Sequence, residues 1–170
     1  MRVFGFAGWS GSGKTTLIEA IVPRLVASGL RLALVKHAHH TFDVDHPGKD
    51  SRRHRDAGCA EVLVSSAARW ALMHELRGDA ELTLTGAIGR LSPCDLVLVE
   101  GYKRAAIPKL EVWREAVGKP LLHPGDGWIV AVATDEPSRL HTALPRFPLD
   151  APEAIATFVA RNAAVWPPAD

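Results

Sequence analysis

The sequence predicts a three-layer α/β fold, a mostly parallel central sheet flanked by helices, and three observations carry that prediction. Short apolar runs suited to buried strands recur at Val3 to Ala7, Leu32 to Val35, Leu96 to Val99 and Ile129 to Ala133. Stretches with helical spacing of apolar residues separate them, among them Thr16 to Leu25 and Ala151 to Ala164. The first strand runs straight into Gly8-Trp9-Ser10-Gly11-Ser12-Gly13-Lys14-Thr15, a glycine-rich turn that opens a helix. Alternation of strand and helix implies parallel pairing, because parallel neighbours need a long crossover and a helix fills it.

The glycine turn has the spacing of a phosphate-binding loop: a glycine, four residues, then Gly-Lys-Thr, between strand and helix. Gly8, Gly11 and Gly13 let backbone amides converge without side chains in the way. The helix start at Lys14, Thr15 and Thr16 adds unpaired amides and a positive dipole end. Lys14 is expected on the β- and γ-phosphates, and the Thr15 hydroxyl on Mg²⁺. With Ser10 and Ser12 in the loop, these residues form the expected cradle and make the fold one of the phosphate-loop NTPase class.

In chain order, Leu17, Ile18, Ile21, Val22 and Leu25 mark the first helix, ended by Gly29. Leu32 to Val35 is continuously apolar, as expected of a strand covered on both faces, and delivers Lys36, His37, His39 and His40 to its C-terminal end. Thr41 to Asp50 is polar and rich in turn residues, and reads as a switch-like loop carrying Asp43, Asp45 and Asp50. Ser51 is placed to cap a helix through Arg52, Arg53 and Arg55 that ends at Gly58. Its basic residues form either a solvated face or a phosphate or partner site.

Glu61 to Ser66 and Trp70 to His74 predict an edge hairpin, and Asp79 to Leu91 a helix weakened by Gly86 and Gly89. Asp95 to Gly101 is a buried strand that presents Glu100 at its end, where a Walker-B carboxylate is required. Pro108 to Arg114 alternates apolar and charged residues, the pattern of a half-exposed strand. Ile129 to Ala133 leads to Thr134-Asp135, and Trp166-Pro167-Pro168 follows the last helix.

A single domain over residues 1–170 is expected, with 47% hydrophobic residues to build its core. The net charge of +1 argues against bulk electrostatic binding to nucleic acid or an anionic membrane, so anion binding must be local. Cys59 and Cys94 stand in no metal or redox spacing and are expected as small core residues. No apolar run approaches the ~18 residues of a membrane span, and no leader pattern precedes the first strand, so a cytoplasmic protein is expected.

Val35-Lys36-His37, His39-His40, Phe42-Asp43-Val44-Asp45, Pro47-Gly48-Lys49-Asp50-Ser51 with Arg53-His54, and Leu98-Val99-Glu100-Gly101 with Lys103 join the phosphate loop in a specific combination. In these the sequence resembles the molybdopterin-guanine dinucleotide biosynthesis adapter proteins, from Val3 to about Asp135. The resemblance implies a homodimeric GTP-binding protein with weak Mg²⁺-dependent GTPase activity. It also implies work beside the guanylyltransferase that joins GMP to molybdopterin, with that enzyme and molybdopterin as partners, and a metallochaperone-like fold. Unpaired strand edges near Trp70 and at Leu110 to Arg114 lend the dimer some support.

Thr15, Glu100 and Asp43 are the expected metal residues, and Glu100 and Asp45 the expected catalytic ones, although sequence does not rank the aspartates against each other. Asn-Lys-x-Asp is absent, the single asparagine being Asn162, so another group must read the base. Asp135 can accept both hydrogens of guanine's Watson–Crick edge; its plainer alternative is to cap the Pro137-Ser138 turn. Two rival functions use the same residues. A small-metabolite kinase would take its lid from Arg52, Arg53 and Arg55, and a metal-insertion chaperone would use His37, His39, His40 and His46.

Overall fold

In the computed structural model, residues 1–38 and 42–167 are described. The chain forms β1 (Arg2–Ala7), α1 (Lys14–Ala27), β2 (Leu32–Lys36), α2 (Asp50–Asp56), β3 (Glu61–Ser65), β4 (Trp70–His74), α3 (Leu84–Ile88), β5 (Leu96–Glu100), β6 (Lys109–Trp113), β7 (Ile129–Thr134), β8 (Arg146–Pro148), α4 (Pro152–Asn162) and β9 (Ala164–Val165). Two compact units result, Met1–His37 with Leu84–Asp170, and Ala38–Thr83.

In the first unit the sheet runs β2-β5-β1-β6-β7-β8, all parallel, with β9 antiparallel on the start of β1. β1 lies where the chain changes direction: α1 carries it to β2 on one side, and β6 flanks it on the other. Ligands of open α/β sheets bind at the carboxyl ends of strands at such a switch point, which is where Gly8 to Gly13 lie. One face of the sheet, through Phe4, Phe6, Leu98, Leu110 and Ala131, packs on Leu17, Ile18, Ile21 and Leu25 of α1 and on Ile155 and Val159 of α4. Each such side chain gives about 1.5–3 kcal/mol on burial, which fixes the helix carrying Lys14 and Thr15.

β2 is parallel as expected but stands at the sheet edge, with Leu34 46% exposed. β6 departs from its pattern in the opposite sense. It is a central strand between β1 and β7, with Lys109 1% and Glu111 0% exposed, so alternation there marks buried ions and not a wet face. The Lys109 ammonium is satisfied by Asp126 at 2.6 Å and by the carbonyls of Lys103 and Ala105 at 2.7 and 3.0 Å. Gly5 makes room for its stem, since a Cβ there would lie 2.7 Å from Lys109 Cγ. Glu111 accepts hydrogen bonds from the amides of Leu122 and His123, and His123 in turn meets Thr142.

Other expectations are shortened or moved. The helix expected over 79–91 is only Leu84–Ile88, because Gly86 and Gly89 weaken propagation, and residues 79–83 before it are not helical. Cys59 is exposed and Cys94 intermediate, since both lie in connecting segments outside the sheet. The short strands β8 and β9 were not foreseen, each being too short to show a period.

The second unit holds α2 and the hairpin β3–β4. The strands pair antiparallel as expected but form their own two-stranded sheet, joined to no edge of the larger one. Ser51 does not cap α2: the cap position is Lys49, and Ser51 lies inside the helix with its hydroxyl donating to Asp45 at 2.8 Å. No residue of α2 is buried, and an ion cluster holds the segment together. Arg55 donates to Asp43 at 2.8 Å and to Glu75 at 2.6 Å, and Arg52 pairs with Asp43 and Asp56.

Candidate nucleotide-binding site

The loop after β1 has the form a phosphate cradle needs. Gly8 has φ 146°, and a Cβ there would lie 2.4 Å from the Val112 carbonyl and 2.8 Å from Ser12 Oγ, so only glycine fits. Gly13, at φ 95°, is the N-cap of α1, and no side chain caps the helix. The first-turn amides at Lys14, Thr15 and Thr16 therefore stay available to an anion. Ser10 and Gly11 are exposed on the loop. Ser12 is buried, its hydroxyl against Gly8 and without a partner among the described residues, so it braces the loop from beneath.

Lys14 folds back over this loop and donates to the carbonyls of Gly8 at 3.0 Å and Trp9 at 2.8 Å. Desolvation lowers its pKa; Glu100 opposes that, and the like charges of Lys103 and Lys36 add to it. A cation held this way gains from an incoming phosphate, which replaces dipoles by full negative charge.

The strand order brings Glu100 to this helix start. β5 is the neighbour of β1, with Glu100 in register with Phe6 on β1 and with Lys36 on β2. Thr15 Oγ1 donates to Glu100 Oε1 at 2.8 Å, and Lys36 Nζ lies 3.3 Å from the other oxygen. A hydroxyl and a carboxylate at this spacing are hard oxygen donors of the kind Mg²⁺ takes. The pair expected from sequence is therefore adjacent in space.

Asp135 follows β7 on the other side of β1. Arg114, the first residue after β6, links it to the loop: Nε donates to the Ser12 carbonyl at 3.2 Å, and Nη1 lies 3.7 Å from Asp135 Oδ2. Asp135 also receives the Thr134 hydroxyl at 3.2 Å, so its carboxylate is held at the strand end. Arg114 too follows a parallel strand, and that position is the signal by which the sequence marks it. Trp9 was inside the motif but had no role: its indole donates to the Pro120 carbonyl at 2.8 Å, and the Lys103 ammonium lies 4.9 Å over its ring.

Asp43 and Asp45 belong to the second unit. The Asp45 amide, then Arg55 and Arg52, hold the Asp43 carboxyl below the usual range, and Asp45 takes Ser51 and Arg55. Asp50 pairs at 3.4 Å with Arg53. The arginines offered for a kinase lid thus have carboxylate partners, so that role would require breaking pairs. For the metal-chaperone reading, His39 and His40 lie outside the described residues. Among the described residues no group of three or more His, Cys, Asp or Glu is arranged to hold a metal ion. No helix among them is long and apolar enough to cross a membrane.

Comparison with known proteins follows the same residues. Residues 3–135 match the family described as molybdopterin guanine dinucleotide synthesis protein B. The molybdopterin-guanine dinucleotide biosynthesis adapter protein of Escherichia coli K12 is 44% identical over 160 residues, covering 92% of this chain and 90% of that protein. The Haemophilus influenzae adapter protein of the same description is 40% identical, covering 84% and 79%. Among solved structures, molybdopterin-guanine biosynthesis protein B superposes with a TM-score of 0.72 at 29% identity, over 94% of this chain and 98% of that one. Bacillus subtilis MobB does so at 0.74 and 26%, over 96% and 98%.

Proposed function

Because the chain belongs to the molybdopterin guanine dinucleotide synthesis protein B family, adapter proteins of that biosynthesis, we propose that it acts there as a GTP-dependent adapter. The nucleotide's phosphates lie in the loop from Gly8 to Gly13 and on Lys14, Thr15 and Thr16. Thr15 and Glu100 hold Mg²⁺, which when bound neutralises phosphate charge. Asp135, oriented by Arg114, reads guanine. The observation that carries this reading is the Thr15–Glu100 pair at 2.8 Å beside an uncapped helix start and a lysine held on loop carbonyls.

Hydrolysis is weak in this reading. Asp43 is held by Arg52 and Arg55, and Asp45 by Ser51 and Arg55, so neither carboxylate is free for other work without leaving these partners. The partners are the guanylyltransferase, molybdopterin and a second copy of the chain. The second copy docks on the hairpin, where Leu63, Trp70 and Leu72 are 59%, 65% and 48% exposed on one face.

Calorimetric titration with GTP, GDP and ATP, with and without Mg²⁺, tests the proposal, followed by product analysis. GTP preferred over ATP, with GDP and phosphate the only products, supports it. A phosphorylated small molecule would make the protein a kinase.

A further inference from the structure

Beside the phosphate loop, at Trp9, lies a cavity of about 630 Å³ whose walls include Trp9, Lys103, Arg104, Leu121, Leu122 and Asp126. We propose that this cavity is a second ligand site, for a small anion carrying a flat ring, such as a carboxylated or phosphorylated pterin. Its size falls within the several hundred cubic ångströms usual for small-molecule sites.

The charges of the cavity do not cancel. Asp126 is already taken up, by Lys109 at 2.6 Å and by the Trp128 amide at 3.0 Å. Lys103 and Arg104 have no carboxylate partner among the described residues, so two cations face the cavity without compensation. An anion is the ligand that balances them.

The ring requirement comes from Trp9. Its indole donates to the Pro120 carbonyl at 2.8 Å and presents a flat apolar face, with the Lys103 ammonium 4.9 Å from the ring centroid. A ligand ring stacks on that face and frees Lys103 to meet the ligand's acid group. Leu121 and Leu122 supply the remaining apolar wall, and the Glu111 carboxylate fixes their loop by accepting the Leu122 amide at 2.7 Å. The cavity adjoins the nucleotide cradle at Trp9: its carbonyl holds Lys14, while its indole donates to Pro120 and lies under Lys103, both residues of the cavity wall.

The choice of a pterin rests on the adapter reading; the anionic and planar character of the ligand rests on the residues alone. The test titrates the full chain with pterin-6-carboxylate, with neutral pterin and with inorganic phosphate, by fluorescence and calorimetry. Pterin-6-carboxylate is expected to bind more tightly than either half of its chemistry. Replacing both cations (Lys103→Gln with Arg104→Gln) is expected to weaken it by roughly tenfold per cation, and Trp9→Leu to weaken it as well. Circular dichroism and thermal unfolding show that these variants are folded, and GTP titration of the variant lacking both cations shows that the cradle is retained. Three outcomes overturn the proposal: no binding of pterin-6-carboxylate, equal affinity in the double variant, or GTP affinity falling in step with it. Binding of pterin-6-carboxylate by a chain that does not bind GTP would overturn the nucleotide reading and leave this site standing.

Discussion

At the residue scale the site depends on a few charges whose partners in the free protein are already visible. Lys14 directs its charge at two loop carbonyls, so Lys14→Ala should abolish measurable triphosphate binding in calorimetry while the thermal midpoint stays near the parent's. Burial lowers the Lys14 pKa below its ordinary 10.5, and phosphate binds the protonated form. Affinity should therefore fall as pH rises, starting at lower pH than for an ordinary lysine. Glu100→Gln keeps the shape beside Thr15 but removes the charge, and should depress Mg²⁺-dependent hydrolysis more than nucleotide binding. For base reading, Asp135→Asn should narrow the preference for GTP over ATP by about 1–3 kcal/mol, because one acceptor becomes a donor. The Arg114–Asp135 pair is 40% and 39% exposed and adds little stability, so its effect should appear in selectivity. In a double-variant cycle, Arg114→Gln should do little more once Asp135 is Asn; equal losses for GTP and ATP would leave Arg114 only a brace of the loop.

At the scale of elements, β6 shows how a local pattern misleads. Alternating charge predicted a half-wet strand, yet a strand between β1 and β7 has no wet face, and its ions persist because each meets a full set of partners. Lys109→Ala leaves Asp126 without its cation and should cost ~3–5 kcal/mol in urea unfolding, far more than a surface pair is worth. α2 follows the opposite logic, holding its segment by ions because it buries nothing. Asp43 has a depressed pKa in the folded protein, so its contribution is present above the ordinary 3.8 and is lost as pH falls through the lower folded value. Protection of the Asp50–Asp56 amides, taken relative to intrinsic exchange, should accordingly weaken once the pH falls below the ordinary range of Asp43.

At the scale of the whole molecule, the exposed apolar face of the hairpin is the surface proposed to meet a second copy. Leu63 faces Leu72 across the strands, with Trp70 two residues along the same face. Trp70→Glu combined with Leu72→Glu should convert a dimer in light scattering to a monomer that still binds GTP. A parent chain that is monomeric at micromolar concentration would remove the dimer proposal. Much of the candidate site was legible in the sequence because its residues are contiguous: the loop from Gly8 to Thr16 needs only its own residues and the strand before it, and the placing of Glu100 and Asp135 at strand ends follows from the rule that parallel strands present their C-terminal ends together. The strand order lay beyond the sequence. Periodicity tells which side alternate residues face but not how many neighbours a strand has, so it could not show that β2 would be an edge, that β6 would be buried, or that β5 would adjoin β1 and bring Glu100 against Thr15. Nor could it pair Arg55 with Asp43 or set Arg114 between Ser12 and Asp135, because these contacts join residues whose separation in sequence says nothing of their approach in space.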